Sequence, residues 1–137
     1  SMTTDQLIAH LSSVEIPATL SRTSTDAAWL RANYPNVPLV AYEGGQHLVA
    51  RGDAVATAAF QMVNRDPRMA TLYAMFLAGW RAAGGQLFVH YANTGRWDEW
   101  GAWGAKEYEH QPAAAAVKWE ALRAFAVQGC WWPGCAP

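Results

Sequence analysis

The clearest pattern in the chain is a stripe. In "RDPRMATLYAMFLAGWRAAGG", Met69, Leu72, Tyr73, Phe76, Leu77 and Trp80 recur at helical spacing, which predicts an amphipathic helix with one apolar face. Asp66 can cap it, Pro67 suits its first turn, and Gly84 and Gly85 stop it. "TTDQLIAHLSS" has Leu7, Ile8 and Leu11 at the same spacing, with a cap at Thr3 or Thr4, and predicts a short first helix. "VEIPATLS" is ambiguous, because Pro17 argues against a central strand. "STDAAWLRANYPN" predicts a second helix, capped near Ser24 or Thr25 and ended by Pro35. "GDAVATAAFQMVN" reads as a helix capped by Asp53, and "PAAAAVKWEALRAFAV" as a last helix starting near Pro112.

Two runs have the other pattern. "VPLVAY" (37–42) and "QLFVHY" (86–91) are β-rich and of strand length. The first does not alternate, which predicts a strand covered on both faces, as in a parallel sheet. Strands separated by long helical stretches imply parallel βαβ units with right-handed crossovers. The fold class is therefore α/β: two parallel strands with four to five helices. Residues 1–137 form one domain, with 1–26 as an N-terminal helical arm and 129–137 as an irregular tail. Two strands leave two long edges open, so the sheet is expected to be completed by oligomerisation.

Composition sharpens this picture in two ways. Only 15% of the 137 residues are charged, below the usual quarter, which favours association with a partner surface. The net charge of −1 gives no electrostatic basis for nucleic acid or anionic membrane, and no apolar run has the length of a membrane span. No signal peptide is visible, so location stays open between the cytoplasm and secretion as part of a longer protein. Cys130 and Cys135 either close a small loop or sit reduced, and two cysteines alone make no zinc site.

Candidate chemistry gathers at the strand ends. In "LVAYEGGQHLV" (39–49) an apolar run ends on Glu43, followed by two glycines. In parallel α/β folds the carboxyl ends of strands converge on one crevice. A glutamate there can attack an anomeric carbon or act as acid or base. It can equally cap the turn or pair with Arg51. The second strand ends on His90 and Tyr91, and the loop beyond carries Asn93, Trp97, Asp98, Glu99, Trp100 and Trp103. Indole faces stack on pyranose rings, and Asn, Asp and Glu hold hydroxyls; the same rings also serve as packing. His47, His90 and His110 show no helical ligand spacing, so no metal and no cofactor are expected. "RGD" (51–53) reads as a loop arginine, a glycine and a helix cap. No Gly-x-Ser-x-Gly elbow marks a serine hydrolase.

These same segments, "LVAYEGGQHLV" and "NRDPRMATLYAMFLAGWRAAGGQLFVHYANTGRWDEWGAWGAKE", resemble the C-terminal part of bacterial (β/α)8-barrel proteins related to glycoside hydrolases, often labelled cellulose-binding protein. The resemblance spans roughly 27–127. It implies the last quarter to third of a TIM barrel. Glu43 would correspond to the nucleophile ending the seventh strand, 86–91 to the eighth strand, and 97–103 to the loop over the active-site mouth. The family's acid/base carboxylate comes from the fourth strand, which this chain lacks, and Asp98 or Glu99 would have to substitute. The resemblance thus implies a poly- or oligosaccharide partner, with Tyr42, His47, His90, Tyr91, Asn93, Trp97, Asp98, Glu99, Trp100 and Trp103 on the sugar side. Its alternatives are a non-catalytic carbohydrate-binding module, or a barrel fragment with no activity of its own.

Overall fold

The computed structural model describes residues 2–132. The end of the expected tail, including Cys135, lies outside the described residues; Cys130 is disulfide-bonded. The chain is a mixed α/β fold with a two-stranded parallel sheet. Its elements are α1 (Thr4–His10), a π-helical turn (Leu11–Glu15), α2 (Ile16–Asn33), β1 (Leu39–Gly44), α3 (Ala54–Arg65), α4 (Arg68–Ala83), β2 (Gly85–His90), a 3-10 turn (Ala113–Ala115) and α5 (Val117–Ala126).

The N-terminal region departs from expectation. Instead of two separate helices, one helical rod runs from Thr4 to Asn33. Thr3 caps it with a reciprocal pair of bonds to Gln6. Pro17 lies in the first turn of α2; it has no N–H to donate and its ring crowds the carbonyl one turn back. The wide π turn before it takes up that misfit, closing with the Ile16 amide on the Leu11 carbonyl. The expected cap near Ser24 or Thr25 is absent, because the rod is already under way. Thr23 and Thr25 donate back to the Thr19 and Ser21 carbonyls at 3.0 and 3.1 Å, as hydroxyls inside helices do.

The remaining elements follow the pattern more closely. The Asp53 side chain accepts the Ala56 amide at 2.9 Å and starts α3. The α4 stripe is buried at Met69, Leu72, Tyr73, Leu77 and Trp80, and Gly84 ends the helix with φ +97°, a left-handed position that suits glycine. The strands pair from Leu39 opposite Gly85 to Gly44 opposite His90. The last helix starts later than expected, after the 3-10 turn. The core joins Leu7 and Ile8 of α1 to Val63, Met69, Leu72, Tyr73 and Ala121.

The sheet is covered on one face only, contrary to the expectation for β1. Phe88 packs edge-on against Phe76 and Trp80 of α4, with ring centroids 5.7 and 5.8 Å apart. The alternate residues Val40, Tyr42, Leu87, Val89 and Tyr91 are exposed, because strand side chains alternate in direction and the helices pack on the Phe88 side.

Candidate functional site

The carboxyl ends of the two strands bring the Glu43 turn and the tryptophan loop together. The Tyr91 amide donates to the Gly44 carbonyl at 2.8 Å, which sets Glu43 beside the exit of β2. A Cβ on Gly44 would sit 2.5 Å from the Phe88 ring, so glycine is what lets β1 lie this close to its neighbour. Tyr42 is 83% exposed. Glu43 is exposed as well, and among the described residues it makes no hydrogen bond or ion pair. The alternative of pairing with Arg51 is not realised: that guanidinium lies over the Trp100 ring, 4.0 Å from its centroid.

Past this carboxylate, aromatic rings of the turn and of the loop meet. His47 meets Trp103 edge-on at 4.8 Å, and Tyr91 meets Trp103 at 6.3 Å. The Trp103 indole donates to the Trp100 carbonyl at 2.7 Å, and Trp100 is half exposed. Asp98 is occupied as a turn residue, accepting the Trp100 amide at 2.9 Å. Glu99 is exposed on the same turn.

Three sequence-predicted residues have other engagements, although the His90 ring lies beside Gly45 of the Glu43 turn. His90 points to the helix-covered side, where its Nε2 meets the Tyr73 hydroxyl at 3.0 Å. Asn93 and His90 line a cavity of about 660 Å³ bounded by Phe88, Trp119 and Phe125. Trp97 is held inside the loop: its indole donates to the Gly104 carbonyl at 3.1 Å. The Lys118 ammonium and the Arg65 guanidinium lie 4.2 and 5.2 Å from its ring centroid, favourable cation–π geometry.

Sequence reasoning missed the residues that fasten this surface. Gln46 donates to the Ala102 carbonyl at 2.7 Å and accepts the Leu48 amide at 2.7 Å. Lys118, 1% exposed, donates to the same Ala102 carbonyl and to Asn64 Oδ1 at 3.0 Å. Gln61 donates to the Trp97 carbonyl at 3.3 Å. Arg65 and Glu107 form a two-pronged pair. A signal for Lys118 does exist: with Ala121, Leu122 and Phe125 it lies on the apolar stripe of α5, where a lysine must find internal partners.

Two bases here are held toward neutrality. Burial pushes the Lys118 amine down to about 7, against the pull of Glu107. Burial, and then the Lys118 charge, push the His90 imidazole down to about 4, against the Ala92 backbone. In both cases the unfolded chain binds a proton that the folded chain releases, so stability rises with pH across each window. For His90 the window runs from about 4 to its ordinary 6.5; for Lys118 it runs from about 7 to 10.5. Urea midpoints should therefore climb from pH 4 to 6.5, and again from pH 7 to 9, with a limiting slope per group of about 1.4 kcal/mol per pH unit. A midpoint that falls between pH 7 and 9 would contradict the Lys118 assignment.

Among the described residues no three His, Cys, Asp or Glu side chains gather to hold a metal, and no helix is long and apolar enough to cross a membrane. No family model matches this chain, and no curated protein or solved structure matches it.

Proposed function

We propose that this chain is a carbohydrate-facing segment of a (β/α)8-type barrel, with the glycan lying across the carboxyl ends of the strands and Glu43 as nucleophile. The observation that carries the reading is an exposed carboxylate, free of partners among the described residues, at the end of a parallel strand pair, on a turn that Gln46 ties to the tryptophan loop. The finer fold assignment draws on the uncovered apolar sheet face at Val40, Leu87 and Val89, where further strands would close a barrel interior. Self-association supplies those strands in this reading. Retaining chemistry needs a second carboxylate about 5–5.5 Å from the first. Asp98 is engaged in its turn and Glu99 rides on the loop, so the proton donor comes from another copy or chain.

In the assembled protein, Glu43→Gln should lower aryl-glycoside cleavage by at least about a thousand-fold, since a nucleophile is removed outright. Polysaccharide retention should stay within about two-fold, because the amide keeps the shape of the carboxylate and one acceptor oxygen, and its NH2 can donate to a sugar hydroxyl oxygen. Cleavage that survives the substitution would refute the nucleophile assignment. A second reading, binding without catalysis, is favoured by one observation: the strand ends and loop expose the rings of Tyr42, Tyr91 and Trp100, while the Asp98 carboxylate is taken up in its own turn. Under that reading the parent protein cleaves nothing, and Trp100→Ala loses retention.

A further inference from the structure

Ala102 is 2% exposed, and its carbonyl accepts from two side chains that come from opposite sides of the fold. Gln46 reaches it from the turn after β1, and Lys118 reaches it from α5. The Gln46 backbone N–H donates to the Tyr73 hydroxyl at 3.5 Å, and that hydroxyl meets His90 Nε2. Lys118 continues to Asn64 of α3 and covers Trp97. The loop between β2 and α5 closes on itself through backbone bonds of Ala92 with Trp103 and Ala105, and of Asn93 and Gly95 with Lys106, which fix its own shape but not where it lies on the strand ends. Its placement over the strand ends therefore depends on ties to the rest of the fold.

We propose that Lys118 is the positioning residue of the tryptophan loop, sharing the Ala102 carbonyl with Gln46 so that Trp100 and Trp103 stay in register with the turn that carries Glu43. This goes beyond the saccharide reading and holds whatever the surface binds. Lys118 does not touch the exposed surface; it acts through a backbone carbonyl and the Trp97 ring. The charged or titratable groups that face it are His90 from β2, Glu107 from the loop, and Arg65 of α3 across the Trp97 ring. Either protonation state of the amine can donate to the carbonyl, but only the ammonium contributes a charge over Trp97.

Hydrogen exchange separates this role from general stability. In Lys118→Met, which keeps the apolar stem and removes both donated bonds, the Ala92, Ala105 and Lys106 amides should exchange about ten-fold faster or more, with the α4 amides within about two-fold of the parent. Gln46→Leu should act similarly. The double variant should exceed the product of the singles by about five-fold or more, because only then is the buried carbonyl left with no side-chain donor. Unchanged loop exchange, an equal rise in α4, or simple multiplicativity would each overturn the proposal. If Lys118→Met does not fold, Lys118→Gln takes its place: its amide is one atom shorter than the lysine chain and carries no charge over Trp97. The same exchange pattern is expected of it, and unchanged loop exchange or an equal rise in α4 overturns the proposal.

Discussion

Alanine at position 104 is expected to dismantle the tryptophan loop. A Cβ at Gly104 would be driven into the Lys106 carbonyl and into the backbone nitrogen and oxygen of Gly95. These are main-chain atoms of a paired segment: the Gly95 amide donates to the Lys106 carbonyl at 3.1 Å, and the Ala105 amide to the Ala92 carbonyl at 2.8 Å. They cannot yield as a flexible side chain would. Gly104 also offers its own carbonyl to the Trp97 indole, so a shift there loosens the ring held between Lys118 and Arg65. Overpacking alone costs about 1–3 kcal/mol, and each buried bond lost with it adds about 1 kcal/mol. Gly104→Ala should therefore destabilise by at least about 3 kcal/mol in urea unfolding, with loss of near-ultraviolet tryptophan dichroism. A change under about 0.5 kcal/mol would mean that the loop is not packed as described.

Met69→Ala should be comparably severe for a different reason. Met69 is 1% exposed and sits where α1, α3, α4 and α5 meet, against Leu7, Ile8, Val63, Leu72 and Ala121. Truncation leaves a cavity that these neighbours cannot fill, at a cost of about 2–5 kcal/mol. That is a large share of the roughly 5–15 kcal/mol typical of a domain. Because Leu7 and Ile8 lose their floor, protease cleavage within 4–33 should accelerate. Met75, on the same helix but 37% exposed, is the control: Met75→Ala should stay within about 0.5 kcal/mol of the parent. Equal effects at the two positions would place the core elsewhere.

The contrast between these residues also shows what can be read from local order along the chain. The α4 stripe was legible because a helix that buries one face must repeat at 3.6 residues, and its end was legible because Gly84 has a left-handed backbone. The parallel pair was legible from its β-rich runs and the helices between them. The long N-terminal rod was not. Pro17 argues against a central strand without announcing a helix, and α2 buries only Ala27, so no stripe shows that the helix continues. The π turn that carries the rod past the proline has no local pattern of its own. The one-sided sheet was misread because an unbroken apolar run says that both faces are apolar, not that both are covered. At the strand ends, Glu43 and its glycines were visible as a motif. Which face His90 takes, against Tyr91, depends on where the strand begins: an offset of one residue exchanges the two faces. Lys118 and Gln46 meet at one carbonyl from distant parts of the chain, and no spacing rule connects them.

Under the proposed function, the Tyr42–Glu43 end of the sheet and the tryptophan loop form one saccharide-facing surface. The eight tryptophans make it directly measurable, since each indole N–H gives its own nuclear magnetic resonance signal. On titration with soluble cello-oligosaccharide, the Trp100 and Trp103 indole signals should shift together and saturably. Those of Trp80, buried under the sheet, and Trp29, exposed on the distant α2, should stay still. Shifts confined to Trp29, or no shift at any indole up to millimolar sugar, would contradict the account.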